Sequence, residues 1–476
     1  MAEFDVVVLG AGPVGENVAD YAHQGGLSAV VVESELVGGE CSYWACIPSK
    51  ALLRPVHAVA AATRVDGARQ AVTGQPDAAG ALARRDWFIG DYDDAGQVNW
   101  LEGAGLALVR GHGRLAGERR VLVDTDDGEV ELRARHAVAV CTGSAASLPP
   151  IPGLAQARPW TSREVTGMRK VPRRLVVIGG GVVACEMATA VKGLGAEQVT
   201  MLVRGDRLLE RLEQFAGELV ADGLRARGVD IRFGVSATGA SRDDGDDAPV
   251  RLDLDAGGTL EADQVLVATG RRPRTADIGL ESVGLRPGDS LSTDDGLAVR
   301  GVAGDWLFAA GDVTGRVLLT HQGKYQGRML GDRLAAQARG EQPDLSRWGR
   351  HTPTADDAAV PQVIFTDPEV AAVGLTQQQA DQRGLRTRMV TYDLGHVSGA
   401  SLQADGYTGT ASMLVDLDRD VLVGVTFAGQ DVAELLHAAT IAVVGEVPIP
   451  RLWHAVPAYP TMSEIWLRLL EEWRNG

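Results

Sequence analysis

The chain has 476 residues, of which 45% are hydrophobic, enough for three domains of about 150 residues each with real cores to bury. Its formal charge of -17 argues against nucleic-acid backbones and anionic membrane surfaces, which are bound through basic patches. Small molecules are the expected partners.

The N-terminal Met1-Ala2-Glu3-Phe4-Asp5 runs directly into Val6-Val7-Val8-Leu9 without a basic segment or a small-residue cleavage site. No apolar run reaches the roughly 20 residues that span a bilayer, so the expected location is cytoplasmic. The β-branched run meets Gly10-Ala11-Gly12-Pro13-Val14-Gly15, a helical pattern follows, and Ala29-Val30-Val31-Val32-Glu33 reads as a second strand ending in an acid. This is the layout of a dinucleotide-binding βαβ unit. Gly10 allows the tight turn, Gly12 lets the backbone approach a pyrophosphate, Gly15 permits close helix packing, and Glu33 is spaced to accept from a ribose.

Next comes Gly38-Gly39-Glu40-Cys41-Ser42-Tyr43-Trp44-Ala45-Cys46-Ile47-Pro48-Ser49-Lys50, which holds two of the chain's 4 cysteines. Pro48 suits the first turn of a helix. Cys46 is therefore expected just before that helix, at its positive end, where a thiolate is favoured. A straight helix would separate residues five apart by roughly 7.5 Å along its axis, beyond the about 7 Å between the Cα atoms of a disulfide. If the cysteines pair, the segment between them is an irregular, inward-wound turn. In a reducing compartment such a pair reads as catalytic, redox-sensing or metal-binding rather than structural. Metal is the weaker choice, since no second CxxC or nearby histidine completes a ligand set.

Residues 51–90 alternate Ala-rich helical patterns with polar breaks and read as scaffold. Arg119 to Arg135 reads as paired strands around Asp126-Asp127-Gly128, and His136 to Ser144 as a strand ending in a turn at Gly143, a candidate cofactor contact. The cluster Pro149-Pro150-Ile151-Pro152-Gly153 marks a domain boundary, and Cys141 is expected to be a buried small hydrophobe.

A second dinucleotide unit starts at Arg174. Leu175-Val176-Val177-Ile178 leads into Gly179-Gly180-Gly181-Val182-Val183-Ala184-Cys185-Glu186, then a helix, then the strand Gln198 to Val203. Arg204 follows that strand where an NAD site would carry an acid. Arginine pairs with a 2′-phosphate, with Arg207 assisting, which favours NADPH over NADH. Asp243-Asp244-Gly245-Asp246-Asp247 is expected to be an exposed turn. Glu261 to Thr269 reads as a strand ending in Gly270-Arg271-Arg272-Pro273, and Trp306 to Gly311 as one delivering Asp312. Both Gly270 and Asp312 fit the strand ends where open α/β sheets hold ligands. Beyond about residue 345 the chain alternates strands and helices without a phosphate loop, and closes on Tyr459-Pro460-Thr461-Met462-Ser463-Glu464 and an amphipathic helix.

These motifs together resemble the flavin-dependent pyridine nucleotide-disulfide oxidoreductases of the glutathione reductase and dihydrolipoamide dehydrogenase group, over essentially the whole length. The resemblance implies an α/β chain with two Rossmann-like dinucleotide-binding domains and a C-terminal α+β dimerisation domain. Its parts are an FAD-binding domain in residues 1–150 and 275–345, an NAD(P)H-binding domain in 151–274 and the dimerisation domain in 346–476. It also implies FAD in the first unit with Asp312 at its ribityl and phosphate region, and Cys46 as the charge-transfer thiol with Cys41 facing the substrate. Lys50 and Glu186 are implied as an ion pair near the nicotinamide, and the chain as a homodimer sharing its active site across the interface.

The pattern departs at Tyr459, where the family carries its catalytic histidine, paired with an acid matching Glu464. Glu464 is expected to orient the tyrosine hydroxyl, and His454 is read as a surface-turn residue. Tyr43 and Trp44, bulkier than usual, are expected to narrow the space near the cysteines or to pack against a dimer partner. The expected activity is NADPH-dependent reduction of a disulfide or related acceptor. The alternatives are quinone, metal-ion or dioxygen reduction, reductive carboxylase-like chemistry at the cysteines, and a non-catalytic redox sensor. Mercuric ion is disfavoured, because the tail Glu472-Trp473-Arg474-Asn475-Gly476 lacks the cysteine pair of mercuric reductases.

Overall fold

The computed structural model describes residues 2–243, 245 and 248–476. The elements that carry the candidate site are β1 (Ala2–Leu9), α1 (Pro13–Gln24), β2 (Ala29–Glu33), α2 (Gly39–Tyr43), α3 (Cys46–Thr63), β3 (Arg174–Ile178), α4 (Val182–Gly193), β4 (Gln198–Val203) and α5 (Thr320–Ala338). The chain divides into two compact units.

The first unit comprises Met1–Ile47, Asp86–Ala146 and Gly270–Asp356. Its sheet runs in the order Ala107–Arg110, β2, β1, Gly128–Val140, Arg120–Thr125, His112–Leu115, with Leu307–Ala309 also paired to Gly128–Val140. β1 is parallel to β2, Val6 opposite Ala29 and Leu9 opposite Val32. The run Val6 to Leu9 is apolar throughout because both faces are covered. Val6 and Val8 pack with Val18, Ala19 and Leu330 of the helices, while Val7 and Leu9 point oppositely, toward Leu115, Val121 and Trp306. The strand expected over His136 to Ser144 is not a separate one: His136 to Val140 is the end of Gly128–Val140, and Ser144 opens another short strand, Ser144–Ala146. Gly128–Val140 pairs antiparallel with Arg120–Thr125 over Gly128 to Arg133 and parallel with Leu307–Ala309 over Val138 to Val140.

The second unit comprises Pro48–Arg85, Ser147–Thr269 and Asp357–Gly476. It holds a parallel sheet in the order Val229–Phe233, β4, β3, Gln264–Val267, and a three-stranded antiparallel sheet. Its last portion is a five-stranded antiparallel sheet in the order Pro361–Ile364, Glu369–Gly374, Val421–Gly429, Thr410–Asp416, Thr387–Asp393. The strand expected over Glu261 to Thr269 is in fact two, Thr259–Ala262 and Gln264–Val267, in different sheets. They part at Asp263, whose carboxylate accepts from the Arg174 backbone N–H at 2.9 Å and from its guanidinium. In the acidic stretch 243–247, Asp244, Asp246 and Asp247 lie outside the described residues. Among the described residues no helix is long and apolar enough to cross a membrane, and no cluster of three His, Cys, Asp or Glu is placed to hold a metal ion.

Candidate functional site

In the first unit, a cradle forms where β1 ends and α1 begins. Gly10 has φ +101°, and a Cβ there would lie 2.5 Å from the Cys141 carbonyl oxygen. A Cβ on Gly15 would lie 1.9 Å from the Gly10 carbonyl oxygen, so only glycine lets α1 start this close to β1. At Gly12 a Cβ would meet nothing within 4 Å, leaving open space beside the first turn of α1, where backbone donors and the helix dipole favour an anion. Glu33 reaches back from the end of β2 to accept the Ala11 N–H at 2.7 Å, and burial raises its pKa.

Asp312 follows Leu307–Ala309. The Ser144 hydroxyl donates to its carboxylate at 2.5 Å, and Arg271 donates to the same hydroxyl at 2.7 Å. Burial raises the Asp312 pKa, while the Ser144 bond opposes the shift. Gly143, at φ +71°, accepts from the Arg274 N–H at 3.0 Å, and Gly270 has φ +146° with open space at its Cβ position. Open space at a helix N-terminus, a ribose-type acceptor and a strand-end carboxylate fit a dinucleotide such as FAD in this cradle.

The cysteines sit beside the same loop. Gly38 donates its N–H to the Ala11 carbonyl at 2.7 Å, and a Cβ on Gly39 would lie 2.9 Å from Gly12 Cα. The glycine pair therefore lets α2, which carries Cys41, begin against the start of α1. The helix stops at Trp44 (φ −133°, ψ 0°) and α3 begins afresh at Cys46, so the helix is broken between the cysteines, as a disulfide at that spacing would need. The Cys46 Sγ is 3.3 Å from the Thr320 hydroxyl at the head of α5. Tyr43 neither stands open nor awaits a second chain. It is 4% exposed, with its ring 6.5 Å from that of Tyr92 and 5.6 Å from that of Trp44, because a phenol two residues from Cys41 finds apolar cover within its own unit.

In the second unit, Lys50 on α3 meets Glu186 on α4. Its Nζ lies 2.7 Å from one carboxylate oxygen and 4.9 Å above the Phe365 ring, and the Phe365 N–H donates to the other oxygen at 3.0 Å. Glu186 is buried. The second glycine loop repeats the first: Gly179 has φ +133° with a Cβ position 2.4 Å from the Ala268 carbonyl oxygen, and Gly181, before α4, opens onto free space. Arg204 follows β4 and is exposed. Arg207 donates to the Glu210 carbonyl at 2.6 Å.

At the C-terminal motif, Tyr459 is 74% exposed, and its hydroxyl has no hydrogen-bond partner among the described residues. Glu464 does not orient it. One oxygen of this buried carboxylate takes the Arg468 guanidinium at 2.6 Å, a contact one helical turn away, while Oε2 is buried and unpartnered among the described residues. His454 is exposed in a turn. Cys141 and Cys185 are buried, which pushes the Cys141 thiol up to about 12 and the Cys185 thiol up as well, so neither is a ready nucleophile. Thr320, Ser144 and the Phe365 amide escaped the sequence reading, since no local spacing announces them.

A doubled dinucleotide fold with a close cysteine pair at its first glycine loop defines a class of flavin- and nicotinamide-linked oxidoreductases. Residues 4–327 match the pyridine nucleotide-disulphide oxidoreductase family, and residues 360–469 match its dimerisation domain. The chain belongs to this family, whose members are FAD-dependent enzymes that use a pyridine nucleotide. Among its relatives are dihydrolipoyl dehydrogenase 3 of Pseudomonas aeruginosa, 32% identical over 475 residues (98% of this chain, 96% of the relative), and mercuric reductase of Shigella flexneri, 30% identical over 465 residues (96% and 79%). In fold it is similar to the HOCl-induced flavoprotein disulfide reductase RclA of Escherichia coli, solved as a Cu(II) complex (TM-score 0.83, 22% identity, 99% of both chains). LpdA of Mycobacterium tuberculosis gives a TM-score of 0.81 at 23% identity, again over 99% of both chains.

Proposed function

We propose that this enzyme passes electrons from NADPH to a disulfide or related small-molecule acceptor through FAD and the Cys41–Cys46 pair. The observation that carries the reading is Cys46 at the first residue of α3 with its sulfur against the Thr320 hydroxyl. That hydroxyl and the helix N-terminus both favour a thiolate. Gly10, Gly12, Gly15, Glu33, Gly143, Gly270 and Asp312 hold FAD, which when bound supplies the two-electron link between nicotinamide and sulfur. Gly179, Gly181, Arg204 and Arg207 hold the nicotinamide nucleotide, and the Lys50–Glu186 pair keeps a cation fixed near it. Cys41 attacks the acceptor disulfide and releases one thiolate, and Cys46 then attacks Cys41, closing their disulfide and releasing the second. The domain division set out above and a homodimer go with this reading. The matched dimerisation domain supports the dimer, and the exposure of Tyr459 leaves its ring available to a second copy.

Two tests follow directly. NADPH reduction of the holoenzyme is expected to raise a long-wavelength thiolate-to-flavin absorption that is absent in Cys46→Ser; a band that survives the substitution removes Cys46 from the role. Catalytic efficiency is expected to be higher with NADPH than NADH, and Arg204→Ala to lower the NADPH value about tenfold or more, the worth of one charge-assisted hydrogen bond, with little change for NADH. Equal use of both coenzymes by the unaltered enzyme sinks the NADPH assignment.

The engagement of Glu464 by Arg468 favours a second reading, in which the same electrons end on a quinone, metal ion or dioxygen that needs less help from a proton shuttle. An NADPH-oxidation screen across disulfides, quinones and metal ions separates the two.

A further inference from the structure

Asp356 is a buried carboxylate of the first unit that none of the roles above uses. Its side chain is 1% exposed and gathers three donors: Gln322 Nε2 at 3.1 Å on Oδ1, and Gln326 Nε2 at 2.9 Å and Arg316 Nε at 3.2 Å on Oδ2. A charge this deeply buried is tolerated where it is paired and hydrogen-bonded. The network it centres is anchored at two points of the candidate site.

The first point is the head of α5. Gln322 and Gln326 lie one turn apart on one side of that helix, and Thr320 lies on roughly the opposite side. The Thr320 side is pressed against α1: a Cβ on Gly323 would lie 2.6 Å from Val14 Cγ2, and one on Gly327 would lie 2.8 Å from the Val14 carbonyl oxygen. Asp356 grips the far side through both glutamines and so fixes the rotation of α5 about its axis, with the Thr320 hydroxyl 3.3 Å from Cys46 Sγ. The second point is a strand end. Gln326, fully buried, uses its Oε1 to accept the Gly311 N–H at 2.7 Å, and Gly311 delivers Asp312. One side-chain amide thus ties α5 both to Asp356 and to the loop that carries Asp312.

We propose that Asp356 is a positioning residue of the redox site, holding Gln326 so that Thr320 stays on the Cys46 sulfur and Asp312 stays in place for FAD. The inference rests on the reading of Cys46 as the flavin-facing thiol and of Asp312 as an FAD contact. Asp356 touches neither residue. It acts by orienting an amide: with Gln326 Oε1 committed to the Gly311 N–H, the NH2 group needs a buried acceptor, and the Asp356 carboxylate is that acceptor. Without it, a buried donor is left unpaired and the amide is free to turn, which loosens both α5 and Gly311. The Cys46 thiolate then loses the hydroxyl donor that favours its charged form.

The test follows Cys46 in the FAD-loaded enzyme in a Cys41→Ser background, by alkylation rate against pH and by thiolate-to-flavin absorbance. FAD affinity is measured with both cysteines present. Thr320→Val is expected to move the Cys46 titration up by about one pH unit, the worth of one hydrogen bond to a charged group. Gln326→Met removes both amide bonds at similar volume; it is expected to move the titration by a like amount and to weaken FAD binding about tenfold. Asp356→Asn combined with Gln326→Glu exchanges donor and acceptor while keeping the charge, and is expected to return both readouts to those of the unaltered enzyme, a rescue that a merely weakened core would not show. Should Gln326→Met fail to fold, Gln326→Glu, which sets a second carboxylate against Asp356, is judged by the same criteria. An unmoved titration in Thr320→Val overturns the proposal. So does a Gln326 variant in which only one readout moves or neither does, or an exchange variant that stays as displaced as the single one; all of these leave Cys46 as the redox thiol. A thiolate-to-flavin absorbance that survives Cys46→Ser overturns that underlying reading, and the Asp356 proposal with it.

Discussion

Lys50→Met is expected to lower the stability of the protein by about 3 kcal/mol. The Glu186 carboxylate is buried and fixed at both oxygens, by Lys50 Nζ at 2.7 Å and by the Phe365 N–H at 3.0 Å. Removing one partner of a buried pair strands the other charge, at a cost of about 3–5 kcal/mol. The low end applies because 35% of the Lys50 side chain remains exposed. The deficit is read as the shift in thermal midpoint against the unaltered protein. Lys50→Met combined with Glu186→Leu is expected to recover most of it, since replacing both partners removes the uncompensated charge. No recovery in the double variant means the pair is held by something other than its mutual charge.

What could be read from residues alone were features that local geometry imposes. Val6 to Leu9 is apolar at every position because both faces of the strand are covered. Gly10 and Gly15 are required by contacts with residues only a few positions away or on the adjoining strand. A break between Cys41 and Cys46 followed from helix rise once the two are taken as a pair, and the chain does leave the helix at Trp44. What could not be read were partners brought together from far along the chain: Thr320 meets Cys46 across 274 positions, and the Phe365 amide meets Glu186 across 179. The double life of Gly128–Val140 was hidden for the same reason, since one half takes its partner from a neighbouring hairpin and the other from Leu307–Ala309. The Glu464–Arg468 contact is different. Its spacing of four on a helix is visible in the sequence, and it went unread because Tyr459, standing where a histidine was expected, drew Glu464 into a dyad that the side chains do not form.

That contact shapes the second large effect. At neutral pH a free phenol in water, with a pKa near 10, is about a thousandfold short of its ionised form, whereas a free imidazole near 6.5 exchanges protons readily. If the acceptor is a disulfide, Tyr459→His is expected to raise turnover by about 10²-fold or more, within the 10²–10⁴ typical of a positioned acid–base group, or roughly 3 kcal/mol of barrier. Orientation of the new ring need not break the existing ion pair. Arg468 engages Oε1 of Glu464, and Oε2 is buried with no partner among the described residues, so an acceptor remains for a ring N–H. The gain should carry its own signature, a limb in the pH profile near the imidazole pKa that the unaltered enzyme lacks. Tyr459→Phe separates the role of the hydroxyl from that of the ring: turnover equal to the unaltered enzyme shows that the phenol donates nothing, and a fall shows that it is already a proton source. An unchanged disulfide rate in Tyr459→His would mean that protons reach the cysteines by another route, or that the natural acceptor asks for none. On the second of these outcomes, the proposed electron path through Cys41 and Cys46 would end on a quinone, a metal ion or dioxygen, with the tyrosine suited to that acceptor.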